Sequence, residues 1–187
     1  GYTFDGWTVV GDGITQTDNG TSTTFTKNQA GNMTITANWT PIPYKQIVKV
    51  RYQNADGTWG TYSDVINANY NYGSTVSWSR AADATYKAAS ISYTVTGANT
   101  KYVSVYRNTY LQIVKVRYQN ADGTWGNYSD VINANYLYGS TVAWTRAADA
   151  VYKTASISYT VTQANTKYID IYRNTYTVTL NKGTGIA

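Results

Sequence analysis

The sequence contains a near copy of part of itself. Residues 44–109 align with residues 110–175 at an offset of 66, and about 55 of the 66 positions are identical. The longest shared run is Gln-Ile-Val-Lys-Val-Arg-Tyr-Gln-Asn-Ala-Asp-Gly-Thr-Trp-Gly, at 46–60 and 112–126. A period of this size describes a series of small domains, each touching mainly its neighbours, and hence a rod. A unit of about 66 residues is just large enough to enclose its own core. The substitutions between copies are mild: Thr61 becomes Asn127, Ser77 becomes Ala143, Thr85 becomes Val151 and Val103 becomes Ile169. Most of them preserve size and strand propensity.

Composition says what each unit is made of. Twenty Tyr, six Trp and 30 Thr stand against three Leu, a balance that favours a pleated, half-buried surface over a helix. The expected fold class is all-β or β-rich. There is no Cys, no His and no Glu, so all ten acidic side chains are Asp. Thiol nucleophiles, His-based triads, His or Cys zinc sites and Glu acid–base chemistry are thereby excluded. No catalytic residue, cofactor or metal is assigned, and the chain is not expected to be an enzyme. No apolar run approaches the roughly 18 residues that cross a bilayer, so no membrane insertion is expected. The net charge of +5 comes from 15 scattered basic residues, which reads as a dispersed solvated surface with no nucleic-acid partner.

Alternation places about five short strands in each unit. In Ile47–Gln53, Val48, Val50 and Tyr52 share a face that should be core, leaving Lys49 and Arg51 on the wet side. Asn54-Ala55-Asp56-Gly57 supplies a tight turn, and 58–62 is expected to return as the partner strand. Residues 63–69 suit a strand or a short helical turn equally. Thr75–Arg80 should turn Val76 and Trp78 inward, 81–84 is a loop or one helical turn, and 90–96 and 101–107 alternate cleanly.

The ends differ from the middle. Pro41-Ile42-Pro43 marks a boundary, giving expected domains 1–43, 44–109, 110–175 and 176–187. The pattern Gly1-Tyr2-x-Phe4-x-Gly6-Trp7, followed by Thr34-Ile35-Thr36-Ala37-Asn38-Trp39, resembles the second half of the internalin-type B repeat, the Listeria-Bacteroides repeat of bacterial surface proteins. Residues 176–187 resemble the opening strand of a divergent member. The 66-residue units share the rhythm of that family and lack its Gly-Trp signature. The resemblance implies β-grasp-like modules strung in series in a secreted or wall-anchored protein, extracellular at the cell surface or in the cell wall of mainly Gram-positive bacteria. It carries no catalytic residues. A stalk or fibre-forming role in an adhesin follows, with neighbouring modules or copies of the chain itself as partners.

Three groups of residues stand out as sites. Trp59 and Trp125, just past the Asp-Gly turns, with Tyr62 and Tyr128, are candidate ligand or inter-module contacts, because flat aromatics stack on sugar rings. A glycan-binding surface module is the alternative function. Trp78 and Trp144 share the inward parity of Val76 and Val142 and read as core. Asn54, Asp56 and Asp64, with their copies Asn120, Asp122 and Asp130, carry oxygen ligands suited to calcium, although turn chemistry explains them without a metal. Finally, Tyr176, Val178 and Leu180 form an alternating stripe that could add as a strand to the head of another molecule, generating a fibre by β-augmentation.

Overall fold

The structure is a computed structural model that describes residues 1–180 of the 187. Among the described residues it contains fourteen strands and no helix. The head of the chain supplies β1 (Tyr2–Val10), β2 (Ile14–Asp18), β3 (Thr23–Lys27) and β4 (Thr34–Pro41). β1 pairs antiparallel with β4, and β2 forms a hairpin with β3. Phe4, Trp7, Trp39 and Phe25 meet ring to ring on this part, at centroid distances of 5.1 to 5.7 Å.

The repeat of the sequence is a repeat of strands. The first copy contains β5 (Pro43–Tyr52), β6 (Ser63–Asn71), β7 (Thr75–Arg80), β8 (Ala89–Thr94) and β9 (Asn99–Val105). The second contains β10 (Thr109–Tyr118), β11 (Ser129–Leu137), β12 (Thr141–Arg146), β13 (Ala155–Thr160) and β14 (Asn165–Ile171), each 66 positions on. Each copy builds a three-stranded sheet, ordered β6-β5-β9 or β11-β10-β14, and a two-stranded sheet, β7-β8 or β12-β13. In the second copy the first and last strands, β10 and β14, run parallel, while β11 lies antiparallel on the other side of β10.

By its internal contacts the chain divides into two compact units. Among the described residues, one comprises 1–49, 63–79 and 90–103, the other 50–62, 80–89 and 104–180. In the first, Val48, Val76 and Val95 form a closed core lined by Tyr44, Ile66, Ile91 and Val103. In the second, Val114, Val142 and Val161 do the same with Ile132, Ile157 and Ile169. Because Val114 comes from the three-stranded sheet and Val142 from the two-stranded one, the two sheets face each other across this cluster. The fully buried residues of both clusters are valines, and half-buried Ile, Val and Tyr side chains, including Tyr70 and Tyr93 in the first and Tyr136 and Tyr159 in the second, pack around them, as β-branched and aromatic residues do on pleated sheets.

One polar residue lies inside each core. Gln46 and Gln112 are fully buried, and sequence alternation alone would have given both positions to apolar residues. The Gln112 Nε2 donates to the Gln163 carbonyl at 2.7 Å and the Tyr110 carbonyl at 3.3 Å, while its Oε1 accepts from the Tyr159 hydroxyl at 3.2 Å. Gln46 makes the corresponding bonds to Gly97, Tyr44 and Tyr93. With donors and acceptor all engaged, the amide is affordable in the interior, and it ties the turn after the two-stranded sheet to the central strand.

Three expectations need correction. Residues 58–62 do not return as a strand: the turn forms as expected, with Asp56 Oδ1 accepting from the Thr58 N–H at 2.9 Å, but the return is one bridge long, Trp59 opposite Gln53 with the Asn54 N–H on the Thr58 carbonyl and the Gly60 N–H on the Tyr52 carbonyl. The partner strand is the segment after it, where 129–137 pairs with β10 in the second copy, so the undecided stretch 63–69 is strand. Trp78 and Trp144 keep the parity of Val76 and Val142 yet are only half-buried. They belong to neither core cluster, whose places around the valines are taken by Tyr, Ile and Val side chains. Residues 176–180 form no strand, and Tyr176, Val178 and Leu180 are 76, 80 and 88% exposed. Without a second strand to accept its hydrogen bonds, such a segment has nothing to hold it extended. The remainder of the expected strand, 181–187, lies outside the described residues.

Candidate functional site

The parallel pairing of β10 with β14 sets Arg117 directly beside Asp170. The Arg117 Nε and Nη2 donate to the two carboxylate oxygens at 2.7 and 2.9 Å, a bidentate fork. The guanidinium faces are covered by Trp125, at 4.8 Å, and Tyr128, at 4.7 Å. The Tyr128 hydroxyl completes the arrangement by donating to Asp170 at 2.7 Å, and Tyr172 meets Trp125 edge-on at 5.1 Å. Hydrogen bonding to Arg117, then to Tyr128, holds the Asp170 carboxyl below its ordinary range. The same bonds raise Arg117 and Tyr128.

The first copy builds the same cage around Arg51. Trp59 lies at 4.6 Å and Tyr62 at 4.8 Å from the guanidinium, and Tyr106 meets Trp59 edge-on at 5.0 Å. The acid is missing. Position 104 is Ser, and its hydroxyl accepts one bond from the Arg51 Nε at 2.9 Å. Among the described residues no carboxylate pairs with Arg51.

The expected site residues Trp59 and Tyr62, and likewise Trp125 and Tyr128, are therefore brought together. What joins each pair is an arginine that the alternation had placed on the wet face. The signal that could have found it lies in the comparison of the copies: Arg51 and Arg117 are identical, whereas Ser104 and Asp170, both opposite them, differ. The Asn and Asp residues considered for calcium engage elsewhere. Asp122 accepts from the Thr124 N–H at 2.9 Å, Asp130 pairs with Lys115, and among the described residues no three carboxylates gather.

A second arginine marks the passage from one copy to the next. Residues 106–108 alone separate β9 from β10. Arg107 Nε donates to the Gln53 carbonyl at 2.9 Å in the first copy, and its Nη1 donates to the Tyr138 carbonyl at 2.8 Å in the second. Its guanidinium rests 5.1 Å from the Tyr86 ring. The Tyr138 N–H donates to Asn108, whose own amide donates to the carbonyls of Asp83 and Ala84. Tyr110 caps the same Ala84 carbonyl at 3.1 Å. Gly139, at φ +80°, turns the chain here, and a Cβ on it would lie 3.0 Å from the Arg107 Nη1. The far end of the second copy carries half of this joint again. Arg173 lies over Tyr152 at 5.5 Å, Asn174 donates to the Asp149 carbonyl at 2.8 Å, and the Tyr176 hydroxyl donates to the Ala150 carbonyl at 2.6 Å.

Comparisons with protein-family models, with curated proteins and with solved structures find no match to this chain.

Proposed function

We propose that this chain is a structural repeat region of a secreted or cell-wall-anchored bacterial surface protein, in which copies of one β unit are joined in series to carry load or to display other parts. The observation that carries this reading is the Arg107 joint. A link of three residues is reinforced by an arginine bonded to a backbone carbonyl on each side, so tension need not pass through the covalent chain alone. The reappearance of the same contacts at Asn174 and Tyr176 supports a joint meant to be repeated. The resemblance of residues 1–7 and 34–39 to the B-repeat family supports the cell-surface setting. The parallel first and last strands of the second copy support a β-grasp-like arrangement, although among the described residues no helix packs on the sheet. The exposed alternating stripe Tyr176, Val178, Leu180 supports strand addition to another module as a means of assembly.

Single-molecule pulling from the two ends tests the mechanical reading. Discrete unfolding events should each release about 220–240 Å for a 66-residue unit, at 3.3–3.6 Å per extended residue. Featureless extension at forces near those of an unfolded chain would reject it.

A further inference from the structure

The two copies differ at only eleven of 66 positions, and one of those differences changes the chemistry of a site. In the second copy the Arg117 fork is filled from within by Asp170. In the first, the same fork, between the corresponding rings Trp59 and Tyr62, meets among the described residues only the Ser104 hydroxyl. We propose that Arg51, caged by Trp59 and Tyr62, is a receptor for the carboxylate of an acidic glycan, the position that Asp170 occupies in the second copy.

The cage prepares Arg51 for this. Rings at 4.6 and 4.8 Å cover the guanidinium faces, leaving its edge as the direction in which to bond. A planar fork offered edge-on is the geometry that a carboxylate satisfies with two parallel bonds. Little side-chain freedom remains to be lost on binding, since Trp59 is itself held by Tyr106 and by its bridge to Gln53. Asp170 demonstrates that a carboxylate fits beside an arginine caged in this way.

The surroundings favour a sugar acid over an acidic peptide. Tyr106, 54% exposed and edge-on to Trp59, offers apolar ring surface next to the cage. The flat C–H face of a pyranose packs on such surface. A uronic acid carries its carboxylate directly on that ring, so one residue reaches both features. An Asp or Glu side chain brings the charge on a flexible stem with no flat face. The net charge of +5 raises the local concentration of any polyanionic chain.

This inference is independent of the mechanical reading and fails separately from it. The test titrates the full chain with tetragalacturonate at low salt, followed by calorimetry and by tryptophan fluorescence. Methyl-esterified tetragalacturonate and hexa-aspartate serve as comparison ligands. One saturable site per chain is expected, weakened about tenfold or more by methyl esterification. Ser104→Asp should fill the fork internally and weaken binding to a similar degree, in a protein whose second copy already tolerates that residue. Asp170→Ser should open the second fork and raise the stoichiometry to two. Absence of saturable binding, binding unchanged by Ser104→Asp, or hexa-aspartate binding as tightly as the uronate would each overturn the proposal.

Discussion

Replacing Gln112 with Leu removes a buried amide while keeping a side chain of similar size. Three hydrogen bonds are lost, to Gln163, Tyr110 and the Tyr159 hydroxyl. At about 0.5–1.5 kcal/mol net per bond, the loss is about 1.5–4.5 kcal/mol. Two corrections reduce it. Gln163 lies in an exposed turn, so its carbonyl can be hydrated instead, and the leucine gains about 1–2 kcal/mol from burial. The expected cost is therefore about 2 kcal/mol. Native-state hydrogen exchange reads it best, because it resolves each copy within one molecule. The amides of β10 and β14 should exchange about 30-fold faster. Gln46→Leu should act likewise on β5 and β9. Should exchange in β10 and β14 change by less than twofold, the three bonds are not what holds this core closed.

Arg107→Ala removes both carbonyl contacts of the joint and should lower stability by about 2–4 kcal/mol in urea unfolding, since each is a charged donor. The carboxyls of Asp56, Asp64, Asp83, Asp122, Asp130, Asp149 and Asp170 are all held below their ordinary range. Their contribution is thus fully present above about pH 4 and is lost as pH falls through the folded-state values. Because Asp170 has no acidic counterpart at Ser104, an acid titration followed by exchange should loosen β14 before β9. Val178→Pro should abolish any concentration-dependent growth seen in light scattering, since proline cannot donate to a strand ladder; growth that persists in this variant would not be strand addition through the tail.

Much of the fold is readable from alternation. Val48 and Val50 face inward as their parity demands, and 90–94 and 101–105 are strands for the same reason. What alternation cannot reveal is partnership. The Asp-Gly turn at 56–57 argued for a hairpin with 58–62, but Trp59 and Tyr62 are drawn onto the Arg51 guanidinium, and the ladder passes to the following segment. The parallel strand is hidden for a similar reason, as β14 lies some 50 residues from β10 and carries no local sign of its neighbour. The Arg107 joint uses backbone carbonyls as acceptors, and these are the same whatever side chain they bear. Of the binding cage, the rings were legible as conspicuous aromatics, while the arginine was hidden among residues expected to face water.

Closing each sheet with its last strand beside its first has a consequence during synthesis. A copy can be completed only after all of its residues have left the ribosome, so its opening strand waits unpaired on that side. With two copies so alike, β5 and β10 become rival partners for whichever closing strand arrives, and Asp170 would meet Arg51 much as it meets Arg117. The short tether at 106–108 then does more than join: by limiting how far a late strand can reach, it favours correct pairing over exchange between neighbours.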